Sequence, residues 1–397
     1  MTTRLICCAC VLAVLPQLVS AASPARVAPE DFAILPWSWI PNDAEMLKGI
    51  YECGFNLAGF VPVDALDAVQ AAGLKAIVSG LHVNDGPAED PVAVEKKVSA
   101  LVERVGKHPA IYGYYLRDEP NAALFPALAV YVDALRKADP AARPYINLFP
   151  NYATAEQLGT ATYDEYLERF ITTVKPPFVS YDHYALMNDG SLRRQYFQNL
   201  EAVRKASLAH QLPFWNIVLS NAHFHYAEPY EGGFRFQAFT TLAYGGRGIS
   251  YFTYTTPLHG NYRLAPLDQF GEKTATWDML RRTNLQIHAL APTLVKLRSV
   301  GVFHHPSVPD GCAGLADSKH VANVSGGDLL MGEFEGPDGE VYVMLVNKDL
   351  HRSMYADIQF KQPGECRQVN NYTGKLTSWA GEGRWLAPGQ GALLKKD

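Results

Sequence analysis

Positive charge is nowhere concentrated in this sequence. Its 397 residues contain no cluster of Lys and Arg, and the formal net charge is −5. A nucleic-acid surface needs such a cluster, so that class of partner is excluded. Cysteine is scarce: of six, Cys7, Cys8 and Cys10 fall within the first 22 residues. That stretch, MTTRLICCACVLAVLPQLVSAA, has one Arg near its start, a short apolar run and a small-residue end, the layout of an export signal cut near Ala21 or Ala22. Its apolar part is too short to span a bilayer, so no membrane association is expected after cleavage, and the mature chain is expected to be secreted or periplasmic. Cys53, Cys312 and Cys366 remain, an odd number that permits at most one intrachain disulfide. The pair expected is Cys312 with Cys366, since both lie in the C-terminal segment.

Other absences narrow the field further. There is no internal repeat, no low-complexity linker, no Gly-rich phosphate loop after the first strand and no Gly-x-Ser-x-Gly elbow. Dinucleotide binding and Ser-His-Asp hydrolysis are thereby unsupported, and no cofactor is expected. Neither the cysteines nor His223 and His225, which lack a third ligand at a suitable spacing, mark a metal site.

What is present is enough apolar material for a large core, 48% hydrophobic against 19% charged residues. Short β-rich runs alternate with helical segments. The strands expected are 32–37, 55–60, 75–80, 111–116, 144–149, 178–182, 214–219 and 248–253. The helices between them have readable ends, such as Asp43 opening one that stops at Gly54, and Asp90-Pro91 opening the third. Eight such units predict an α/β fold, a (β/α)8 TIM barrel over 23–299. From about residue 300 the pattern turns to short alternating strands with Gly, Pro and Asp turns, predicting a small antiparallel β-sandwich over 300–397. Two acceptor patterns for N-glycosylation, at Asn323 and Asn371, fall in this tail.

One stretch stands out, IYGYYLRDEPN at 111–121. A buried strand that ends in Arg117, Asp118 and Glu119 is costly unless the carboxylates are paired or used. In a (β/α)8 barrel the C-terminal ends of the strands form the mouth where catalytic groups gather, which places the pair facing a cavity, with Arg117 available to offset its charge.

Asp118-Glu119-Pro120 resembles the acid/base motif that ends strand four in clan A glycoside hydrolases, usually Asn-Glu-Pro. The helix and strand at 234–254, followed by a β-sandwich, resemble barrels of the β-galactosidase type in glycoside hydrolase family 42 and its uncharacterised relatives. The resemblance covers the layout of roughly 30–390. It implies a carbohydrate substrate and Glu119 as the general acid. Asp118 stands where the family has Asn and, when ionised, can accept from a sugar hydroxyl but not donate to one. The family's nucleophilic Glu at the end of strand seven has no counterpart, for 214–227 contain no carboxylate. Asp182, at the end of strand six, is the first candidate for the second carboxylate, ahead of Glu228 and Glu231 on the loop after strand seven. The adjacent Asp118 and Glu119 also resemble the pair of substrate-assisted hexosaminidases, and loss of the nucleophile would leave a glycan-binding barrel without activity. Trp37, Trp39, Asn56, His82, Tyr184, Asn221, His223 and Tyr254 are the residues expected to bind sugar.

Overall fold

The computed structural model describes residues 25–86, 88–141 and 143–397. The stretch read as an export signal lies outside these residues. Eight parallel strands form one sheet: β1 (Ala33–Pro36), β2 (Leu57–Val61), β3 (Lys75–Val78), β4 (Ile111–Asp118), β5 (Pro144–Leu148), β6 (Val179–Asp182), β7 (Phe214–Leu219) and β8 (Gly248–Phe252). Around them run α1 (Ala44–Glu52), α2 (Leu66–Ala71), α3 (Pro91–Val105), α4 (Phe125–Ala138), α5 (Ala155–Leu158), α6 (Tyr163–Val174), α7 (Tyr196–Ala209), α8 (Glu231–Ala243) and α9 (Ala275–Leu294). Asp43 caps α1 by accepting from the amides of Glu45 and Met46, and Asp90 precedes Pro91 at the start of α3, where a missing N–H costs nothing.

The strands alternate in and out, with register shifts at β2 and β4 that interrupt the period of two. Leu35, Phe60, Ile77, Tyr112, Tyr115, Tyr145, Phe178 and Trp215 fill the lumen, while their neighbours Ile34, Val61, Val78, Tyr114, Ile146 and Val179 pack outward under the helices. The seam between β1 and β2 is joined in part by a side chain. Asn56 Oδ1 accepts the Ile34 amide at 2.8 Å while the Asn56 amide donates to the Ile34 carbonyl at 3.2 Å. Its Nδ2 donates to the carbonyls of Phe32 and Val27.

Beyond α9 the chain turns antiparallel. The strands are β9 (Arg298–His305), β10 (Ala313–Gly314), β11 (Val321–Ser325), β12 (Leu329–Glu335), β13 (Val341–Asn347), β14 (Met354–Tyr355), β15 (Asp357–Phe360), β16 (Cys366–Val369), β17 (Leu376–Ser378), β18 (Trp385–Leu386) and β19 (Gly391–Lys396). Seven of them form a sheet ordered β10-β9-β12-β13-β19-β16-β17, and the ladders β11–β15 and β14–β18 complete the sandwich. One face of the large sheet, with Leu329, Met331, Val343, Leu345 and Leu394, closes the sandwich core. The other face, with Leu330, Phe334, Met344, Val346 and Leu393, belongs to the barrel's core and packs on α8. Sheet and helix approach closely enough that a Cβ at Gly332 would collide with the Ala243 carbonyl oxygen.

One expectation about this tail is corrected. Cys312 and Cys366 are free thiols because they sit on different cores, Cys312 against the barrel and Cys366 against the sandwich. Asn371 is buried, its Nδ2 donating to the Gly391 carbonyl at 2.7 Å, so a folded chain cannot carry a glycan there; Asn323 is exposed. Among the described residues no helix is long and apolar enough to cross a membrane.

Candidate active site

The structure brings Asp118, Glu119 and Asp182 together at the mouth. A β-bulge makes this possible. Opposite β5, Tyr115 pairs with Tyr145 and Asp118 with Asn147, so three steps along β4 match two along β5. The extra residue turns Asp118 inward three places after inward Tyr115, where alternation counted from Tyr115 would have turned it outward. Glu119 follows with a left-handed φ of 43°, a conformation that costs a non-glycine residue on the order of 1 kcal/mol. Its amide donates to the Asn147 carbonyl at 2.8 Å, which holds the turn in place.

Asn147 lies between the acids. Its Nδ2 donates to Asp118 Oδ1 at 3.0 Å and to Asp182 Oδ1 at 2.9 Å. Its Oδ1 accepts from Ser180 Oγ at 3.1 Å, and Ser180 Oγ lies 3.1 Å from the Tyr145 hydroxyl. Asp182 is buried, and its carboxyl and that of Glu119 influence each other's protonation. Burial pushes Asp118 up to about 6, against the hydrogen bond from Asn147 and the charge of Arg117. Burial and then the charge of Asp118 push Glu119 up to about 7, against its bond with Asp182. Asp182 is driven well above the ordinary carboxylate range, by burial first and then by Glu119 and Asp118.

Arg117 does not ion-pair with this cluster. It donates to Asp85 Oδ2 at 2.7 Å and to the Val83 carbonyl at 3.0 Å, with His82 Nε2 at 3.3 Å, so its expected role beside the carboxylates is reduced to a distant charge. His82 is an exposed mouth residue beside Tyr115, and burial followed by Arg117 holds its pKa below the usual value.

Of the residues expected to bind sugar, several face the mouth. Trp39 is 60% exposed and rests on Phe60 and Tyr115. Trp37 packs on Phe60 and Phe252, and its indole N–H is buried without a partner. Tyr184 stacks on Phe252 and meets His223 edge-on. His223 stacks on Tyr262 at 4.8 Å, and burial, with Arg263 adding to it, lowers its pKa to about 4, so the ring is neutral at neutral pH. Asn221 is fully buried and spends its amide on the Phe252 carbonyl, the Thr253 hydroxyl and His223 Nδ1, which makes it a support for His223 instead of a sugar ligand.

Two of these residues are misplaced by the sequence reading. Asn56 precedes β2 at the opposite end of the barrel and is consumed by the β1–β2 seam. Tyr254 is buried among Phe55 and α9, its hydroxyl accepting from Trp277 Nε1 at 3.1 Å. The alternative acids also lie elsewhere: Glu228 is exposed and pairs with Arg263 at 3.1 Å, while Glu231 opens α8 and pairs with Arg235 at 3.3 Å. The sequence reading missed Asn147, Ser180 and Tyr145. Their signal was a polar residue two places from an inward Tyr on strand five. It also missed Arg193, which lies 4.2 Å from the centre of the Tyr152 ring and donates to the Tyr226 hydroxyl at 3.1 Å.

No protein-family model matches the chain, and no curated protein sequence matches it. Solved structures do resemble it. A glycoside hydrolase family 5 protein from Bacteroides vulgatus superposes with a TM-score of 0.58 at 13% identity, over 92% of this chain and 89% of its own. A structure described as a glycoside hydrolase gives 0.58 at 13%, over 92% of each chain. A β-galactosidase from the psychrophilic Marinomonas ef1 gives 0.51 at 12%, over 68% of this chain, which spans only 62% of that longer protein. The fold shared is the (β/α)8 barrel, carried in the first two through to the C-terminal β-structure.

Proposed function

We propose that the protein is a glycoside hydrolase that uses Glu119 as general acid. The observation that carries this reading is the cluster of three proton-retaining carboxyls at the mouth of a barrel lined by aromatic faces. A carboxyl pushed up to about 7 is suited to protonating a departing glycosidic oxygen near neutral pH. The shared fold supports it, as does the resemblance of strand four and the tail to the β-galactosidase type of family 42. Activity on a panel of aryl glycosides tests it. Glu119→Gln is expected to lower turnover about 10²–10⁴-fold. Full activity of that variant on a substrate the wild type cleaves removes the assignment, and a panel wholly uncleaved leaves a glycan-binding barrel.

One observation favours a particular variant of this reading. A retaining or inverting enzyme needs a second carboxylate free to act on carbon or water, about 5–5.5 Å or 6.5–9.5 Å from the acid, whereas Asp182 is buried and held by Asn147 at 2.9 Å. No carboxylate ends β7, where Ser220 bonds the Thr253 carbonyl and Asn221 follows. With Asp182 buried and engaged by Asn147, the nucleophile is best supplied by the substrate itself, as a 2-acetamido group oriented by Asp118. Only 2-acetamido glycosides are then good substrates, and Asp118→Asn reduces turnover sharply. Residues 1–22 are read as an export signal, for which N-terminal sequencing of the mature protein should begin near residue 22 or 23.

A further inference from the structure

We infer that Asn147 is the positioning residue that makes Asp118, Glu119 and Asp182 work as one proton-sharing unit. The inference rests on the reading of Glu119 as general acid. A primary amide has two N–H donors, and Asn147 directs its donors to one oxygen each of Asp118 and Asp182, at 3.0 and 2.9 Å. Its backbone carbonyl takes the Glu119 amide at 2.8 Å, so this one residue touches all three acids. The orientation of the amide is dictated chemically. If flipped, it would aim its oxygen at two carboxyls and its NH2 at the Ser180 hydroxyl, which at 3.1 Å donates to Oδ1 in the arrangement seen. Tyr145, 3.1 Å from Ser180, extends the same network into the lumen.

This arrangement sorts the oxygens. Asp182 Oδ1 receives the amide N–H, so a proton on Asp182 resides on its other oxygen. During turnover Glu119 gives its proton to the leaving oxygen and forms no bond to carbon. The proton shed by the water that completes hydrolysis returns to Glu119, while Asp182 keeps its own proton and Asn147 holds Asp118 and Asp182 in place. No proton is gained or lost over the cycle. Without Asn147, Asp118 would keep only the distant charge of Arg117 to favour its ionised form, and Asp182 would lose the donor that fixes its Oδ1.

The test is a carboxyl titration of the unliganded protein, with ¹³C-labelled Asp and Glu followed by NMR, on wild type, Asn147→Ala and Ser180→Ala. In Asn147→Ala the Asp118 midpoint is expected to rise by about one pH unit or more, with loss of the joint titration of Glu119 and Asp182. Turnover on a cleaved aryl glycoside should fall about 10²-fold with a displaced pH profile and little change in KM. Ser180→Ala removes only the hydroxyl that orients the amide and should move the same midpoints less; it decides the matter if Asn147→Ala does not fold. Midpoints that overlay those of the wild type overturn the inference. The titration needs no turnover: displaced midpoints in a protein that cleaves no glycoside would remove the hydrolase reading alone.

Discussion

Asp118, Glu119 and Asp182 all bind protons more tightly in the folded protein than carboxyls ordinarily do, and this has consequences for both activity and stability. A general acid must be protonated to act, so turnover is expected to decline as pH rises through about 7, the value reached by Glu119. For stability the sign is the same. A carboxyl whose pKa is raised by folding stabilises the protein below its unfolded value, 3.8 for Asp and 4.5 for Glu, and that contribution is lost as pH rises through the folded values of about 6 and 7. Thermal melts should therefore show the melting temperature falling between pH 5 and 8 by an amount that Asp182→Asn reduces. Asn at 182 can still accept from Asn147 and donate to Glu119, so at pH 8 the variant should melt about 2 °C or more above the wild type while losing activity. A reductant should leave the melt unchanged, since Cys53, Cys312 and Cys366 are all free.

Single elements carry the next level. Asn56 ties β2 to β1 and to the residues before β1 with four polar contacts, counting its backbone amide, and Asn56→Ala leaves the buried Ile34 amide without its acceptor. The expected cost is about 2–3 kcal/mol in denaturant unfolding, with KM for any cleaved substrate unchanged. A rise in KM at full stability would instead restore the sugar-binding role that its residue type first implied. The same strand shows what a sequence can and cannot disclose. All eight barrel strands were legible because β-rich runs alternate with capped helices, and Asp118, Glu119 and Asp182 were legible because charge at the end of a buried strand demands a use. The bulge in β4 leaves no mark in IYGYYLRD, so the pairing of Asp118 with Asn147 was hidden. Nor does residue type reveal which end or which face of a strand a polar side chain occupies: Asn56 lies before β2, at the end away from the mouth, and Tyr254, after β8, turns outward toward Phe55 and α9, so both were misread as sugar ligands. Cys312 and Cys366 are neighbours in sequence class only; which core each joins is a matter of tertiary packing.

At the scale of the whole molecule, α8 joins the two layers. Its buried residues run from Gly232 through Ala243 with almost no polar face, as a helix enclosed on both sides requires. The barrel strands cover one side and β12, β13 and β19 the other, with Gly332 and Gly391 allowing close contact with Ala243 and Phe239. Gly332→Val should therefore act on both layers at once, lowering the unfolding temperature of the entire chain in a single transition, as calorimetry would register; two separated transitions with an unaltered barrel would contradict this. The residues just ahead of α8 are those of the β7 loop, with Asn221 and the neutral, stacked His223 at the mouth. Anyone who exchanged the tail for that of another protein would thus be rebuilding the foundation of one wall of the cleft, and a chimera that folds could still be expected to differ from its parent in what it grips.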